Sequence, residues 1–124
     1  MSRRFLFVFA ALLAISAAIA EAAPSAATQR EIGGLMQALE RSGCRFQRNG
    51  SWHDPLHARA HLQRKYDYLL KRDMVDSAEQ FIERAASRSS ISGKPYRVAC
   101  AGVAEQDAAP WFLAQLRQLR SQDR

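Results

Sequence analysis

The chain has 124 residues, 48% of them hydrophobic, and its 18 Lys and Arg outnumber 12 Asp and Glu to give a formal net charge of +6. Once an N-terminal leader is set aside, about one hundred residues remain, which suffices for one domain with one core and excludes a second. The positive balance directs attention to acidic partners such as phospholipid head groups, cell-wall polymers or nucleic acid; because Arg and Lys are spread along the chain, solubilising charge is the preferred reading and no nucleic-acid partner is expected.

The first residues, MSRRFLFVFAALLAISAAIAEAAPSAA, give two arginines, an apolar run from Phe5 to Ala20, and small residues with A-x-A spacing at Ala18/Ala20 and Ala20/Ala22. This is the layout of a secretory signal peptide. The run is short for a membrane span, which needs about 20 apolar residues, and no cysteine follows the small residues to take a lipid. Residues 1–22 are therefore predicted to be a leader and residues 23–124 a single domain, exported to the periplasm and without a transmembrane span after cleavage. An uncleaved anchor is the alternative. Losing residues 1–22 removes two Arg and one Glu, so the remainder stays basic.

Residues Pro24 to Ala27 read as a flexible lead. In TQREIGGLMQALERSG, Thr28 is the predicted N-cap with Glu31 as its capping-box partner, Ile32, Leu35, Met36 and Leu39 make one apolar helical face, and Gly43 is the stop. The adjacent Gly33 and Gly34 weaken this helix by about 1 kcal/mol each relative to Ala, so it must lean on tertiary packing. CRFQRNGSW then changes the period to two, with Cys44 and Phe46 on one side and Arg45 and Gln47 on the other. Asn49-Gly50 supplies the two positive-φ positions of a type I′ turn, so a short hairpin with Trp52 on its return strand is expected, a plain loop being the alternative.

DPLHARAHLQRKYDYLLKR is the clearest helix, with Asp54 as N-cap and Pro55 at the first helical position. Ala58, Leu62, Tyr66, Leu69 and Leu70 fall within one arc of about 120°, its buried face. A third helix in DSAEQFIERAAS is capped by Asp76 or Ser77 and groups Phe81, Ile82, Ala85 and Ala86. KPYRVAC alternates again, Tyr96, Val98 and Cys100 sharing one face of a strand. A final helix opens near Pro110 and runs through Phe112, Leu116 and Leu119 to a basic tail. Cys44 and Cys100 are the two cysteines of the chain, and in an oxidising compartment they are expected to form one disulfide. That would place the strand beside the hairpin. The predicted fold class is α+β: about four helices packed on a small antiparallel sheet, a hairpin plus one strand.

The three histidines His53, His57 and His61 recur every four residues, and His57 and His61 have the i, i+4 spacing of zinc helices. Pro55 takes His53 off the helix, and no Glu follows His57 as H-E-x-x-H requires. Arg64, Lys65 and Tyr68 share the helical surface of His57 and His61. Cations there oppose both a bound metal and protonated imidazoles, so no metal site is predicted. His57 is expected in solvent; His61 and Lys65 flank the apolar arc and are expected half-buried.

SRSSISGKPY fails as a phosphate loop, because Arg88 and Pro95 stand where glycine and a hydroxyl residue are needed, leaving a Ser-rich turn. No G-x-S-x-G elbow or Ser-x-x-Lys pair at the required spacing is present. No motif implies a cofactor.

With these segments the chain resembles a family of short exported bacterial envelope proteins known only as a domain of unknown function. The resemblance rests on SGCRFQRNGSW, ARAHLQRKYDYLL, AEQFIERAASRSSISGKPYRVAC and WFLAQL, and covers nearly all of the chain after the leader. Its pattern falls on Arg48, Asn49, Gly50, Ala58, His61, Leu62, Lys65, Tyr66, Ser89, Ser90, Ser92, Gly93 and Tyr96; His53 and His57 lie outside it. It implies a periplasmic setting and a shortlist of residues, but no activity. The preferred reading is a small binding domain that docks an envelope protein or an anionic ligand, with Arg48, Asn49, His61, Lys65 and Ser90 forming a polar patch. The alternative is a hydrolase of a cell-envelope substrate, with His61 as general base and Ser90 or a water as nucleophile. A third reading makes the patch a structural network that fixes the hairpin on the helix.

Overall fold

A computed structural model describes Val8, residues 10–14 and residues 23–123. The leader expectation, residues 1–22, falls mostly outside the described residues. Among the described residues, no helix is long and apolar enough to cross a membrane.

Helix α1 (Ala26–Arg41) starts three residues earlier than its sequence suggests. Ser25, not Thr28, is the N-cap: its hydroxyl accepts from the Thr28 amide at 3.1 Å. Thr28 lies one turn inside the helix, is buried, and donates its hydroxyl to the Asp76 carbonyl at 3.2 Å. The lead is not loose either, since Pro24 is buried and its carbonyl accepts from the Gln29 side chain at 2.9 Å. Glu31 leaves the expected capping box for Arg120 at the other end of the chain, which donates to it at 2.7 and 3.2 Å. Two hydroxyl residues compete for one cap, and the outcome is decided by a tertiary acceptor that local pattern does not reveal.

Strands β1 (Arg45–Arg48) and β2 (Ser51–His53) form the expected hairpin. Asn49 (φ 51°) and Gly50 (φ 82°) occupy its turn, both with the positive φ that a type I′ turn demands. Strand β3 (Arg97–Ala99) pairs antiparallel with β1 in the register Arg45 to Ala99. That register puts Cys44 opposite Cys100, and the two are joined as a disulfide with Cα atoms 4.3 Å apart. The sheet has one strand beyond the expected hairpin and single strand. The two residues of β4 (Gln106–Asp107) pair with β3, giving the order β2-β1-β3-β4. Two residues are too few for an alternating pattern to register.

Helix α2 (Pro55–Lys71) begins as expected, with the Asp54 carboxylate accepting from the His57 amide at 2.8 Å. Helix α3 (Ala78–Phe81), capped by Ser77, runs directly into a π-helical segment, Ile82–Ala86. Helix α4 (Ala108–Gln122) starts two residues before Pro110, because β4 leads straight into it and the Ala108 amide donates to the Tyr96 carbonyl at 2.8 Å. Proline is tolerated in a first turn, whose amides lack helical partners.

The helices pack on one face of the sheet, with α1 against α2 and α4, and the π-helical segment between α2 and α4. The inward strand residues Phe46 and Val98, and Tyr96 just before β3, belong to one buried core with Leu35, Leu62, Phe81 and Phe112. Phe46 sits 5.4 Å from Tyr96 and 6.0 Å from Phe112, ring centre to centre. On the outward face Arg45 lies over Trp52 and Arg97 pairs with Glu105 and Asp107. The observed class is α+β, and Tyr96, at the point where sheet and α2 meet, ties the core to the polar patch.

Candidate functional site

Three segments converge beside the middle of α2. β1 supplies Arg48 and the hairpin turn supplies Asn49; α2 supplies His61 and Lys65, one turn apart. The chain after the π-helical segment supplies residues 87–96. There the Ser89 amide donates to the Lys94 carbonyl at 2.9 Å and the Tyr96 amide to the Ser87 carbonyl at 2.9 Å, closing the serine turn.

Tyr96 is the hub. The residue as a whole is 1% exposed, and its hydroxyl is the polar atom it brings to the site. That hydroxyl lies 3.1 Å from His61 Nε2 and 3.0 Å from Lys65 Nζ. Lys65 also donates to the Arg88 carbonyl at 2.9 Å, and its ammonium stands 4.9 Å from the Tyr96 ring centre. On the other side of the imidazole, Arg48 Nη1 bonds His61 Nδ1. A guanidinium can only donate. Nδ1 must then accept, which leaves the proton of a neutral imidazole on Nε2, pointing at the Tyr96 oxygen.

The electrostatics agree with that tautomer. Burial first, then the charges of Arg48, Lys65 and Arg64, hold His61 down to about 4. Lys65 is pushed down to about 8 by burial and by Arg48. Burial raises Tyr96, with Arg48 pulling the other way. At neutral pH the site therefore holds a neutral imidazole, a neutral phenol and two cations, Arg48 and Lys65.

Among the described residues, no carboxylate lines this site. Around Arg48, His61, Lys65, Ser90 and Tyr96 lies an open cavity of about 400 Å³ with no acidic residue in its wall. Neither Arg48 nor Lys65 belongs to an ion pair among the described residues, whereas Arg59 pairs with Glu40 and Arg120 with Glu31 and Glu79.

All five residues of the sequence-predicted patch, Arg48, Asn49, His61, Lys65 and Ser90, line this one cavity. Their roles differ. Asn49 is engaged with the serine turn: its amide donates to Ser89 Oγ at 3.2 Å and its oxygen accepts from Ser92 Oγ at 2.5 Å. Ser90 is exposed, and its hydroxyl has no hydrogen-bond partner among the described residues. Ser89 is the inward serine, 4% exposed, and its oxygen also accepts from the Ile91 and Ser92 amides at 3.3 Å each. Neither Ser89 nor Tyr96 was singled out for the patch from sequence. Tyr96 stands in the pattern of the family resemblance and on an alternating strand, but neither aims its hydroxyl at the patch, and nothing in Ser89-Ser90 tells which of two neighbours turns inward.

The histidines do not converge. His53, on β2, stacks on His57 with ring centres 4.6 Å apart, and His57 is exposed. Only His61 enters the cavity. Among the described residues, no three His, Cys, Asp or Glu side chains are grouped to hold a metal.

Residues 26–120 match the family model described as a family of unknown function (DUF5329). The chain belongs to that family. It is also similar to the uncharacterized protein YfeK of Salmonella typhimurium, 41% identical over 69 residues, which cover 55% of this chain and 56% of YfeK. The aligned stretch thus spans little more than half the length of that relative. No solved structure matches the chain.

In this DUF5329 chain the His61 environment makes stability depend on pH. Its folded pKa lies below the unfolded value of 6.5, so the contribution is complete above pH 6.5 and is lost as pH falls through 6.5 toward about 4. Urea midpoints measured between pH 7 and 4.5 are expected to fall with acidification, and to fall less steeply in His61→Gln. Some slope should remain in the variant, because burial, His57 and Arg48 lower His53 as well. Identical slopes for the two proteins would contradict the assignment.

Proposed function

We propose that this chain is an exported binding domain of the bacterial envelope whose ligand, free or presented by a partner protein, places an anionic group at the Arg48 and Lys65 cavity. One observation carries the reading. The half-buried Lys65 ammonium has only neutral oxygens as partners, the Tyr96 hydroxyl and the Arg88 carbonyl, with Arg48 nearby and no carboxylate in the wall. Withdrawing a cation from water without a counter-charge is costly. An anion entering the cavity offsets that cost.

The hydrolase alternative has less support. Both ring nitrogens of His61 are occupied, by Arg48 and Tyr96, and no serine hydroxyl is bonded to it among the described residues. A general base needs such a bond to its nucleophile and a pKa nearer neutrality. The structural reading does describe one half of the patch, since Asn49, Ser89 and Ser92 bond one another and fasten the hairpin to the serine turn.

Calorimetric titration with inorganic phosphate at low salt tests the binding reading. The expected result is saturable binding that weakens as salt rises and falls at least tenfold in Lys65→Met, with the fold retained by circular dichroism. Absence of saturable binding, or equal binding by the variant, would overturn it.

Export rests on the leader pattern of residues 1–22 and on a disulfide that suits an oxidising compartment. Intact-mass measurement on the exported protein should find a chain beginning within Glu21 to Pro24. A full-length species held in the membrane fraction would remove this part of the reading.

A further inference from the structure

A second cavity of about 350 Å³ adjoins the first along α2. The two share His61, Lys65 and Ser90, so these side chains form a common ridge rather than a closed wall. Beyond the ridge the character changes. The second cavity is floored by Leu69 and the ring of Tyr68 and flanked by Arg64 and Arg84.

Leu69 is 6% exposed and belongs to the core, whereas Tyr68 is 54% exposed. Arg72 stacks on the Tyr68 ring at 4.4 Å and covers part of it with a guanidinium. Arg84 is held at the rim by a bond to the Met74 carbonyl at 2.5 Å. Long cationic side chains offer apolar stems to a groove while their heads stay wet. No acidic residue among those described lines this cavity either. Together the cavities are of the size that small-molecule sites occupy, with Arg48 and Lys65 at one end and Tyr68, Leu69 and the stems of Arg64 and Arg84 at the other.

A bare inorganic anion would use only the first cavity and leave the apolar floor in water. We infer that the ligand is an anionic amphiphile, with its charged group between Arg48 and Lys65 and its alkyl portion across the ridge on Tyr68 and Leu69. This rests on the anion reading proposed above and assigns its chemical class. A free alkyl carboxylate and the head and chain of an anionic lipid share this chemistry. The cavity dimensions favour a single molecule over a bilayer surface.

The experiment is a chain-length series. Acetate, butyrate, hexanoate and octanoate, all kept monomeric, and neutral 1-octanol are titrated into the chain and followed by amide chemical shifts. Burial of each methylene tightens binding by up to about fourfold. The expected result is rising affinity along the acids and weaker binding of 1-octanol than of octanoate. Lys65→Met should weaken octanoate at least tenfold, and Tyr68→Ser should flatten the series. Vesicles of phosphatidylglycerol form the other arm: the inference expects octanoate to compete with any vesicle binding, because both use the one site. Acetate and octanoate binding equally, or an octanoate affinity indifferent to Tyr68→Ser, would overturn the amphiphile assignment and leave the anion reading standing. Absence of binding by every acid, with phosphate also inert, would remove both.

Discussion

Replacing Cys44 and Cys100 together by alanine is expected to lower the stability of the chain by about 4 kcal/mol, the entropy of closing a loop this long in the unfolded state. The half-cystines are 56 residues apart, and the loop they close contains the hairpin, α2, α3 and the serine turn, hence every residue of the candidate site. The bridge also sits beside the central pair of the sheet, next to the Arg45 to Ala99 rung. Cys44 is 4% exposed, so its replacement also costs some packing. For a domain of about one hundred residues, whose whole stability is of the order of 5 to 15 kcal/mol, such a loss leaves little in reserve. Urea melts of the oxidised chain and the double variant measure it. A difference under about 1 kcal/mol would mean that the unfolded chain is already compact or that the bridge strains the fold.

Tyr96→Phe is expected to cost about 1 to 3 kcal/mol, although it removes a single oxygen. The ring remains against Phe46, so the loss is polar. Without the hydroxyl, His61 Nε2 loses its partner, and Lys65 retains only the Arg88 carbonyl. Replacing both ends of an interaction by apolar groups costs less than orphaning one. The Tyr96→Phe/Lys65→Met pair should therefore be non-additive, with a coupling of at least about 0.5 kcal/mol in denaturant melts. Strict additivity would show that the contact carries no energy.

These two expectations differ in how far they were legible beforehand. The disulfide follows from two cysteines and the oxidising setting that the leader pattern leads one to expect, and the hairpin from Asn49-Gly50, whose backbone requirement is local. Asp54-Pro55 likewise fixes the start of α2 by chemistry contained in two residues. Legibility ends where distant segments choose between local equals. Ser25 and Thr28 both cap helices well, and the Asp76 carbonyl claims Thr28. The π-helical turn is not legible in the sequence because Phe81, Ile82, Ala85 and Ala86 face the core under either helical period. The serine turn kept its orientation hidden for the same reason, and Ser89 rather than Ser90 is the buried one. His61 and Lys65 were marked by their place at the border of the apolar arc of α2. The phenol that joins them lies 35 and 31 residues further along the chain, and neither the family pattern nor the strand alternation that included it revealed this contact.

The pKa of His61, followed by NMR through its ring resonances with and without a saturating anion, tests the central claim most directly. Burial, and then two cations with no carboxylate among the described residues of the wall, is expected to keep the imidazole neutral, with Nδ1 unprotonated and a pKa well below 6.5, near 4. An anion bound between Arg48 and Lys65 must then raise it. A pKa at or above 6.5 in the free protein, unmoved by the anion, would contradict the account.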